Sequence, residues 1–512
     1  MRTTTTIRLM IIGVLLASAC KLGNVLADEY DNRWPAKREY ADPAITAAME
    51  AVRAAIPQAA DDPARPVYHF RPPARWINDP CGVIHHKGYY HLFYQLNPTG
   101  ATWGVNNTHW GHTRSNDLIH WEHLPVVLCP SRDLGERRCN SGCVVINGKG
   151  QPMIFYTYVP LKNGTSRQQW AAIGDDDMIT WKKLAENPVI GREKSGVPST
   201  VGFGWSDPFV FRADGKTFVT FKSSGGTICQ ALNEELTRWK YMGSLAGVPG
   251  ECPNFVKLGN KWLLITSAGT SSQQLQYQVG VFDSQRAMFK TERSGILDHG
   301  YGPKWPSAFS RGFYATNTLF DPQGRCILFG WVGGFKGDRG WNGCQGLPRI
   351  LTLGPDGRPR QTPVPERQAL RGKHIEVEKL VLKNRGQVVE GGHGDTLEIL
   401  ARFQPGDAKA FGLKVRRSDD GNSAVTLRYD GKVLDVAGTK VPLELDKDQG
   451  ILTLHVFLDK SLMEVFVNDG RESVTRVIDP GQKDLDIEVF AEGGTAEVRR
   501  IDVWEMKAIW PH

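Results

Sequence analysis

Hydrophobic and polar positions along the chain repeat as a hairpin pattern: an apolar run, a turn that contains glycine, and a second apolar run. Apolar runs of this length, bounded by turn residues, are typical of buried β-strands. The first copy extends from Asp79 to Gln95 around Gly88. The four further copies begin at Ser141, Asp207, Glu251 and Ala315. Five successive hairpins with few helix signals between them predict an all-β fold.

A second repeat alternates with the hairpins, and it ends in an aromatic residue. Its copies are Asp117-Leu-Ile-His-Trp121, Asp177-Met-Ile-Thr-Trp181 and Glu235-Leu-Thr-Arg-Trp239, with a weaker echo at Asp283-Ser-Gln-Arg-Ala-Met-Phe289. The three tryptophans lie 60 and 58 residues apart. A period of this order, with several strands in each unit, is typical of a β-propeller. We therefore predict a five-bladed β-propeller at residues 66–360, with these tryptophans packed between blades.

The segment before the propeller, residues 28–65, has the pattern of an extension with a short helix. Asp42 and Pro43 form a helix start signal. The apolar residues expected to share one helical face are Ile45, Met49, Val52 and Ile56. The helix is therefore expected to dock on the main domain.

The segment after the propeller, residues 361–512, lacks both repeats. Its strands alternate apolar and polar residues, as in Leu452-Thr-Leu-His-Val-Phe-Leu458 and Met463-Glu-Val-Phe-Val-Asn468. Such alternation is typical of half-buried antiparallel strands. The segment is predicted to be a β-sandwich with a supporting role.

The first 27 residues have the layout of a secretory signal peptide: two arginines, an apolar run and then small residues. The apolar run is shorter than the roughly 20 residues needed to span a bilayer, and no later segment has a transmembrane pattern. The protein is therefore expected to be secreted or periplasmic. Lipoprotein anchoring through Cys20 is the less favoured alternative, because Ala17 stands where a large aliphatic residue is usual. The eight later cysteines are expected to be buried thiols or, in part, disulfides.

Charge and composition exclude one class of partner. The chain has 40% hydrophobic and 23% charged residues, an ordinary globular mixture, and a formal net charge of +7 that falls to +4 without residues 1–27. Nucleic-acid binders normally concentrate basic residues in a patch or stripe, so nucleic acid is not a predicted partner. The sequence leaves the oligomeric state open.

Three acids occupy matching positions in the hairpins. Asp79 lies nine residues before its hairpin glycine, and Asp207 and Glu251 each lie eight before theirs. Since the first strand of each propeller blade lines the central channel, equivalent positions converge at one mouth of that channel. Clustered acids raise each other's pKa, and glycoside hydrolysis uses one protonated and one ionised carboxyl. A turn-starting role explains any single Asp-Pro pair, but it explains three acids in register less well.

Other chemistries find little support in the sequence. Four tryptophans near the acids suit stacking on sugars, although core packing is an equal alternative; they are Trp76, Trp103, Trp110 and Trp205. No Gly-x-Ser-x-Gly, P-loop or His-Glu-x-x-His motif occurs. The pairs His109/His112 and His120/His123 would face opposite sides of a strand, so no metal site is predicted.

The motifs themselves resemble those of a known family. Trp76-Ile-Asn-Asp-Pro-Cys-Gly82 resembles the signature of the invertase, inulinase and levanase family, family 32 of the glycoside hydrolases. Further similar segments follow in the family's order: Phe93-Tyr-Gln-Leu-Asn-Pro98, Trp110-Gly-His112, Asn140-Ser-Gly142, Ser206-Asp-Pro208, Glu251-Cys-Pro253 and Gly340-Trp-Asn-Gly-Cys-Gln-Gly-Leu-Pro-Arg349. The resemblance spans about residues 66–510.

This resemblance implies roles for individual residues. The nucleophile would be Asp79, the general acid/base Glu251, and the transition-state stabiliser Asp207. The positions that would line the fructose-binding subsite are Asn78, Gln95, Trp103 and Ser141. Trp76, an aromatic neighbour of the acids, is a further candidate for substrate binding. The implied reaction releases terminal fructose from β-fructosides such as sucrose, inulin or levan, with retention and without a cofactor.

Two positions depart from the family pattern. Ser206 stands where the family has arginine, which removes a cationic donor beside Asp207. Cys81 replaces the usual asparagine after the nucleophile. These departures motivate one alternative to the hydrolase, a fructan-binding protein without catalysis. A second alternative is a fructosyltransferase on the same scaffold, which would use the same covalent intermediate.

Overall fold

The computed structural model describes residues 34–104, 106–162, 166–202, 204–223, 225–246, 250–267, 274–300, 311–445 and 450–510. The predicted signal peptide lies outside the described residues. The fold is a five-bladed β-propeller followed by a β-sandwich, as the sequence pattern predicted. Within the described residues, no helix is long and apolar enough to cross a membrane.

Between residue 34 and the propeller, the structure has two short helices: α1 (Pro43–Arg53) and α2 (Ile56–Ala60). The Asp42 carboxylate caps α1 by accepting the Ala44 N–H at 2.8 Å, and the buried Met49 packs toward blade one. The prediction of one continuous helical face was wrong at Ile56, which begins α2. Its neighbour Pro57 has no N–H for an intrahelical bond and starts a new helix instead.

Each blade is an antiparallel sheet whose first strand lies innermost, where it contacts the first strands of the adjacent blades. Blade one has β1 (Arg75–His86), β2 (Tyr89–Asn97), β3 (His109–Ser115) and β4 (Glu122–Leu128). Blade two has β5 (Glu136–Ile146), β6 (Pro152–Pro160), β7 (Gln168–Gly174) and β8 (Trp181–Lys183). Blade three has β9 (Ser206–Ala213), β10 (Lys216–Lys222), β11 (Thr227–Ala231) and β12 (Trp239–Ser244).

Blade four has β13 (Glu251–Leu258), β14 (Lys261–Ser267), β15 (Leu275–Asp283) and β16 (Met288–Asp298). Blade five has β17 (Arg311–Phe320), β18 (Cys326–Gly333), β21 (Arg349–Leu353) and β22 (Pro359–Pro363), with the short β19 (Trp341–Asn342) and β20 (Cys344–Gln345) between them. Strand β19 pairs in parallel with β1, so chain from the last blade joins the first and closes the ring. Strand β22 ends three residues beyond the boundary of 360 expected from sequence.

The repeat tryptophans bridge neighbouring blades, which confirms their predicted role as packing anchors. Each meets, edge to face, a phenylalanine on the second strand of the preceding blade in the ring. The pairs are Trp121 with Phe329, Trp181 with Phe93 and Trp239 with Phe155, with ring centroids 6.0, 5.6 and 5.6 Å apart.

A 3-10 helix (Pro365–Leu370) leads into the sandwich, whose two six-stranded sheets enclose an aliphatic core. One sheet comprises, in spatial order, β23 (Arg371–Lys383), β34 (Thr495–Met506), β25 (Thr396–Pro405), β30 (Leu452–Asp459), β31 (Leu462–Val467) and β32 (Glu472–Val477). The other comprises β24 (Gly386–His393), β33 (Asp486–Glu492), β26 (Ala410–Arg417), β27 (Val425–Tyr429), β28 (Val433–Val436) and β29 (Thr439–Pro442).

The cysteines after the signal segment behave as small hydrophobic residues. All eight are buried free thiols. They are distributed over the propeller's core clusters rather than paired with one another.

Candidate active site

The inner strand of every blade carries a β-bulge at its pairing with the second strand. The bulged positions are residues 78–79 of β1, 141 of β5, 207–208 of β9, 252–253 of β13 and 315–316 of β17. A bulge bends its strand and redirects a side chain, and bulges are frequent beside active sites. The three predicted catalytic acids lie in these bulges or directly beside them.

Asp79 uses a single carboxylate oxygen, Oδ2, to accept three hydrogen bonds. The donors are the Ser141 hydroxyl, the Gln95 amide at 3.3 Å and the Cys252 thiol at 3.5 Å. These donors come from blades one, two and four, so Asp79 lies where several inner strands meet.

Asp207 occupies the bulge of blade three with a left-handed backbone, φ 62°. This conformation is uncommon for a residue with a Cβ and costs on the order of 1 kcal/mol. Its N–H donates to the Thr157 hydroxyl of blade two at 2.9 Å. Its Oδ2 accepts from the Cys252 N–H and from the Ser206 hydroxyl, both at 3.1 Å. Contacts from three blades thus hold the strained residue in place.

Glu251 begins β13 and is held through both carboxylate oxygens. The Lys222 ammonium donates to Oε1 at 2.6 Å, and the Tyr314 hydroxyl donates to Oε2 at 2.8 Å. Lys222 ends the second strand of blade three, and Tyr314 precedes the bulge of blade five. The carboxylate is therefore fixed from the two blades that flank its own.

Burial and mutual repulsion raise the pKa of both aspartates, as clustering of the acids predicted. Burial, followed by the charge of Asp207, raises the pKa of Asp79 to about 7. Burial and the charge of Glu251 raise the pKa of Asp207, while Lys222 opposes that rise. Near neutral pH the cluster therefore contains a carboxyl that can exchange its proton.

The predicted substrate-binding residues fall into two groups. Gln95 and Ser141 are buried and donate to Asp79, so they orient this carboxylate. Trp76 is buried, and its ring meets that of Trp331 at 6.3 Å. Trp103 is 43% exposed, and the Arg138 guanidinium lies 4.9 Å from its ring centroid.

The fifth predicted binding residue, Asn78, lies in the same bulge as Asp79. Its backbone carbonyl accepts the side-chain N–H of Gln345 at 3.0 Å. Within the described part of the chain, three buried polar atoms beside this bond have no hydrogen-bond partner: Asn78 Oδ1, Gln345 Oε1 and Trp331 Nε1. Buried polar atoms without a hydrogen-bond partner are unusual in a folded protein.

Trp110 and Trp205 are core residues, in line with the alternative role considered for them. Both are fully buried, with Trp110 packed among blade one and two residues and Trp205 against Phe221. Cys81 is also fully buried, and its thiol donates to the backbone carbonyl of Asp79 at 3.4 Å. This departure from the family pattern therefore places a thiol, in place of the usual asparagine side chain, against the backbone of Asp79.

Sequence reasoning missed four residues of the site: Lys222, Cys252, Tyr314 and Gln345. Tyr314 directly precedes the fifth hairpin copy, so alignment of the repeats could have found it. Cys252 follows Glu251 directly and contacts both aspartates. A single lysine at a strand end carries no sequence signal of its own, because its relevance depends on which strands pair.

Among the described residues, one group of side chains has metal-ligand spacing: His374, Glu376 and Asp502. The group lies on the sandwich strands β23 and β34, and Arg500 donates to both acids at 2.8–3.0 Å. A guanidinium therefore already occupies the position between these carboxylates.

The chain matches two family models over nearly all of the described residues. The model "Glycosyl hydrolases family 32 N-terminal domain" matches residues 69–363, and "Glycosyl hydrolases family 32 C terminal" matches residues 366–505. A levanase from Bacillus subtilis is 31% identical over 508 residues, which cover 88% of this chain and 71% of the levanase. A sucrose-6-phosphate hydrolase from Escherichia coli is 28% identical, over 86% of this chain and 94% of the hydrolase.

Solved structures give the same result. A variant of the Bombyx mori β-fructofuranosidase in complex with sucrose has a TM-score of 0.75 at 26% identity, covering 92% of this chain and 99% of that one. The fold is also that of fructan 1-exohydrolase IIa from Cichorium intybus, with a TM-score of 0.77 at 22% identity, covering 87% and 98%. Fold and site together define a glycosidase of the β-fructofuranosidase type. The chain belongs to family 32 of the glycosyl hydrolases.

Proposed function

We propose that this protein releases terminal fructose from β-fructosides by a retaining, two-step mechanism. Asp79 acts as the nucleophile, Glu251 as the general acid/base, and Asp207 stabilises the transition state by binding fructose hydroxyls. One observation carries the proposal: Cys252 contacts the carboxylates of Asp79 and Asp207 at 3.5 and 3.1 Å and directly follows Glu251. Three acids distant in sequence therefore surround one small volume.

The proposed reaction has two steps, each of which breaks one bond to the anomeric carbon and forms another. In the first, a carboxylate oxygen of Asp79 bonds to the anomeric carbon, the bond to the leaving group breaks, and the leaving oxygen takes the proton of Glu251. In the second, Glu251 removes a proton from water, the water oxygen bonds to the same carbon, and Asp79 is released. The fixed geometry of Glu251, held through both oxygens, suits a group that acts in both steps.

Accessible polar groups in the acid cluster support the binding of a sugar. Asp79 and Asp207 are partly exposed and can accept from fructose hydroxyls, and the Lys222 ammonium, on a side chain that is 30% exposed, can donate to one. The exposed ring of Trp103 offers an apolar face for the rest of the substrate. Such a combination of few convergent polar groups and an aromatic surface is typical of small-ligand sites.

The names of the relatives suggest which substrates to test. One relative is a levanase, and a structural relative was solved in complex with sucrose. We infer that levan, inulin and sucrose form the substrate class. Chromatography of the products would rank the three, and free fructose as the main product at high sucrose would separate hydrolysis from fructosyl transfer, which yields longer oligosaccharides.

Export of the protein is a further part of the proposal. It is supported by the two arginines, the apolar run and the small residues within residues 1–27. N-terminal sequencing of the mature protein from its native host tests it. Cleavage after Ala19 or Ala27 supports a signal peptide, an acylated Cys20 supports the lipoprotein alternative, and an intact N-terminus contradicts both.

The substitution Glu251→Gln tests the catalytic proposal, because it removes the charge at nearly constant shape. We expect kcat on the best substrate to fall by about 10²–10⁴-fold with an unchanged fold, the usual size of a general acid/base contribution. Steady-state kinetics and thermal unfolding give the two readouts.

A matched control exists in the same blade. Glu292 is also a partly exposed glutamate held by a lysine, Lys261, at 2.6 Å, but it lies on the outer strand β16. Glu292→Gln should leave kcat unchanged. Full activity of Glu251→Gln would overturn the acid/base assignment.

A further inference from the structure

With serine at position 206, no cationic side chain among the described residues bonds to the Asp207 carboxylate. The resembled family has arginine at this position, whereas here the Ser206 hydroxyl gives Asp207 a neutral hydrogen bond of 3.1 Å. The other bond to that carboxylate, from the Cys252 N–H, is also neutral. Arg167 lies close enough for its charge to act on Asp207, but within the described residues its side chain has no hydrogen bond or ion pair.

Lys222 lies directly across the β-ladder from Ser206. The two residues are paired between β10 and β9, next to the bulge that presents Asp207. A residue opposite in an antiparallel pair shares the face of its partner. Lys222 is thus the residue of the second strand that can reach the space which an arginine at position 206 would fill.

The side chain of Lys222 is directed into the acid cluster. Its Nζ donates to Oε1 of Glu251 at 2.6 Å, and 30% of the side chain is exposed. Burial alone would lower the pKa of Lys222, but the charges of Glu251 and Asp207 outweigh this and raise it, so the ammonium stays charged. Its positive charge therefore acts on two of the three acids.

We propose that Lys222 is a positioning residue that replaces, from the opposite strand, the cation missing at position 206. It holds the Glu251 carboxylate against Tyr314 and offsets the repulsion between Glu251 and Asp207. The inference rests on the proposed fructosidase mechanism. It predicts that a positive charge at the paired positions 206 and 222 is sufficient, whichever of the two strands carries it and whether the residue is lysine or arginine.

The test moves the charge from one strand to the other in the full-length protein. Lys222→Met and Lys222→Gln remove the charge, Lys222→Arg keeps it, and Lys222→Met combined with Ser206→Arg returns it from β9. Lys216→Met, at the other end of β10 and bonded to Gln285, is the control. The kinetic parameters kcat and KM are measured on the best of sucrose, inulin and levan, with thermal unfolding of each variant.

We expect the neutral variants to lose about 10- to 100-fold in kcat with KM changed less than about threefold, a loss of the size of one charge-assisted contact. Lys222→Arg and the double variant should recover most of the loss, and the control should match the wild type. Unchanged kcat in the neutral variants overturns the inference. So does a loss that neither arginine recovers.

Failure of the proposed function looks different. In that case the wild-type protein itself releases no fructose from any of the three substrates. If Lys222→Met unfolds, the kinetics of Lys222→Gln and of the double variant test the inference instead. Each of these variants keeps a polar side chain near the acids, the glutamine at position 222 or the arginine at position 206.

Discussion

The arrangement around Asp79 shows how neighbouring charges set the chemistry of a single carboxyl. All three of its hydrogen bonds converge on Oδ2, and they favour the ionised form. Burial and the charge of Asp207 oppose them and prevail, which gives the pKa of about 7. The ionised form of Asp79, which the proposed mechanism needs for nucleophilic attack, is therefore destabilised in the free enzyme.

This electrostatic cost predicts that Asp79→Asn stabilises the fold. The variant should also lose activity, because asparagine cannot act as the proposed nucleophile. The folded-state pKa of about 7 exceeds the ordinary value of 3.8, so the wild type loses stability as pH rises from about 4 to 7. Asparagine avoids that loss and can place its carbonyl oxygen where Oδ2 accepts. We expect a Tm increase of about 2–4 °C at pH 8 and none at pH 4.

Thermal unfolding of both proteins at the two pH values measures the effect. Asp133→Asn, at an exposed aspartate, should shift Tm at neither pH. A lower Tm of Asp79→Asn at pH 8 would show that its hydrogen bonds outweigh the repulsion.

At the scale of single residues, sequence reasoning selected the three acids because each lies eight or nine residues before the glycine of its hairpin. It did not identify Lys222 or Tyr314 as partners of Glu251. A lysine and a tyrosine are ordinary on strands, and their roles follow from the pairing of β10 with β9 and the position of blade five.

Among the structural elements, the bulged inner strands present the candidate catalytic residues. In blade two, Gly142 follows the bulged Ser141 and pairs with Tyr156. A Cβ at this position would lie 1.8 Å from the carbonyl oxygen of Phe155, a backbone atom that cannot move aside without breaking the ladder. The close approach of the strands therefore requires glycine, and it fixes where Ser141 meets Asp79.

Gly142→Ala should consequently destabilise blade two and displace Ser141. We expect a loss of several kcal/mol in the free energy of unfolding, typical of steric overpacking, together with lower kcat. Gly204→Ala is the control, because its added Cβ would lie more than 4 Å from every described residue other than its chain neighbours. Denaturant unfolding compares the two variants, and equal stability would contradict the steric argument.

The pairing of elements also explains what the hairpin pattern could and could not predict. Alternating apolar runs and glycine turns indicated each strand pair because burial and turn geometry are local properties. The bulges were not predictable, since an unpaired residue is defined by its register against the next strand. The break between α1 and α2 was not predicted, because the helical spacing of apolar residues continues to Ile56 although Pro57 interrupts the backbone hydrogen bonds.

At the scale of the whole molecule, a buried ionic network joins the propeller to the sandwich. Arg349 of blade five is fully buried and donates to Asp298 of blade four at 2.9 Å and to Glu464 and Thr475 of the sandwich. His69 bonds Asp459 and Glu464 of the sandwich at 2.8 and 3.0 Å. Burial would lower the pKa of His69, but these carboxylates outweigh it and raise the pKa to about 9.

Arg349→Met should be strongly destabilising, because it leaves the buried Asp298 and Glu464 without their shared cation. Removing one partner of a buried ionic network typically costs about 3–5 kcal/mol. Arg358→Met is the matched control: Arg358 also bonds the sandwich, through Glu472 at 2.8 Å, but it is 30% exposed and should cost about 1 kcal/mol or less.

Urea unfolding followed by tryptophan fluorescence measures both losses. Equal effects of the two variants would mean that burial does not set the strength of this interface. A separate early transition in Arg349→Met would show that the network couples the unfolding of the two domains.

The all-β class, the five repeated hairpins, the change to a sandwich and the three candidate acids follow from the amino-acid sequence alone, because hydrophobic periodicity, turn residues and motif offsets act over short stretches of chain. Three features emerge only in the folded chain: the side chains that surround those acids, the position of Lys222 opposite Ser206, and the ionic contacts through which Arg349 joins the domains. These features depend on the register and closure of strands distant in sequence, where burial changes the energy of every charge.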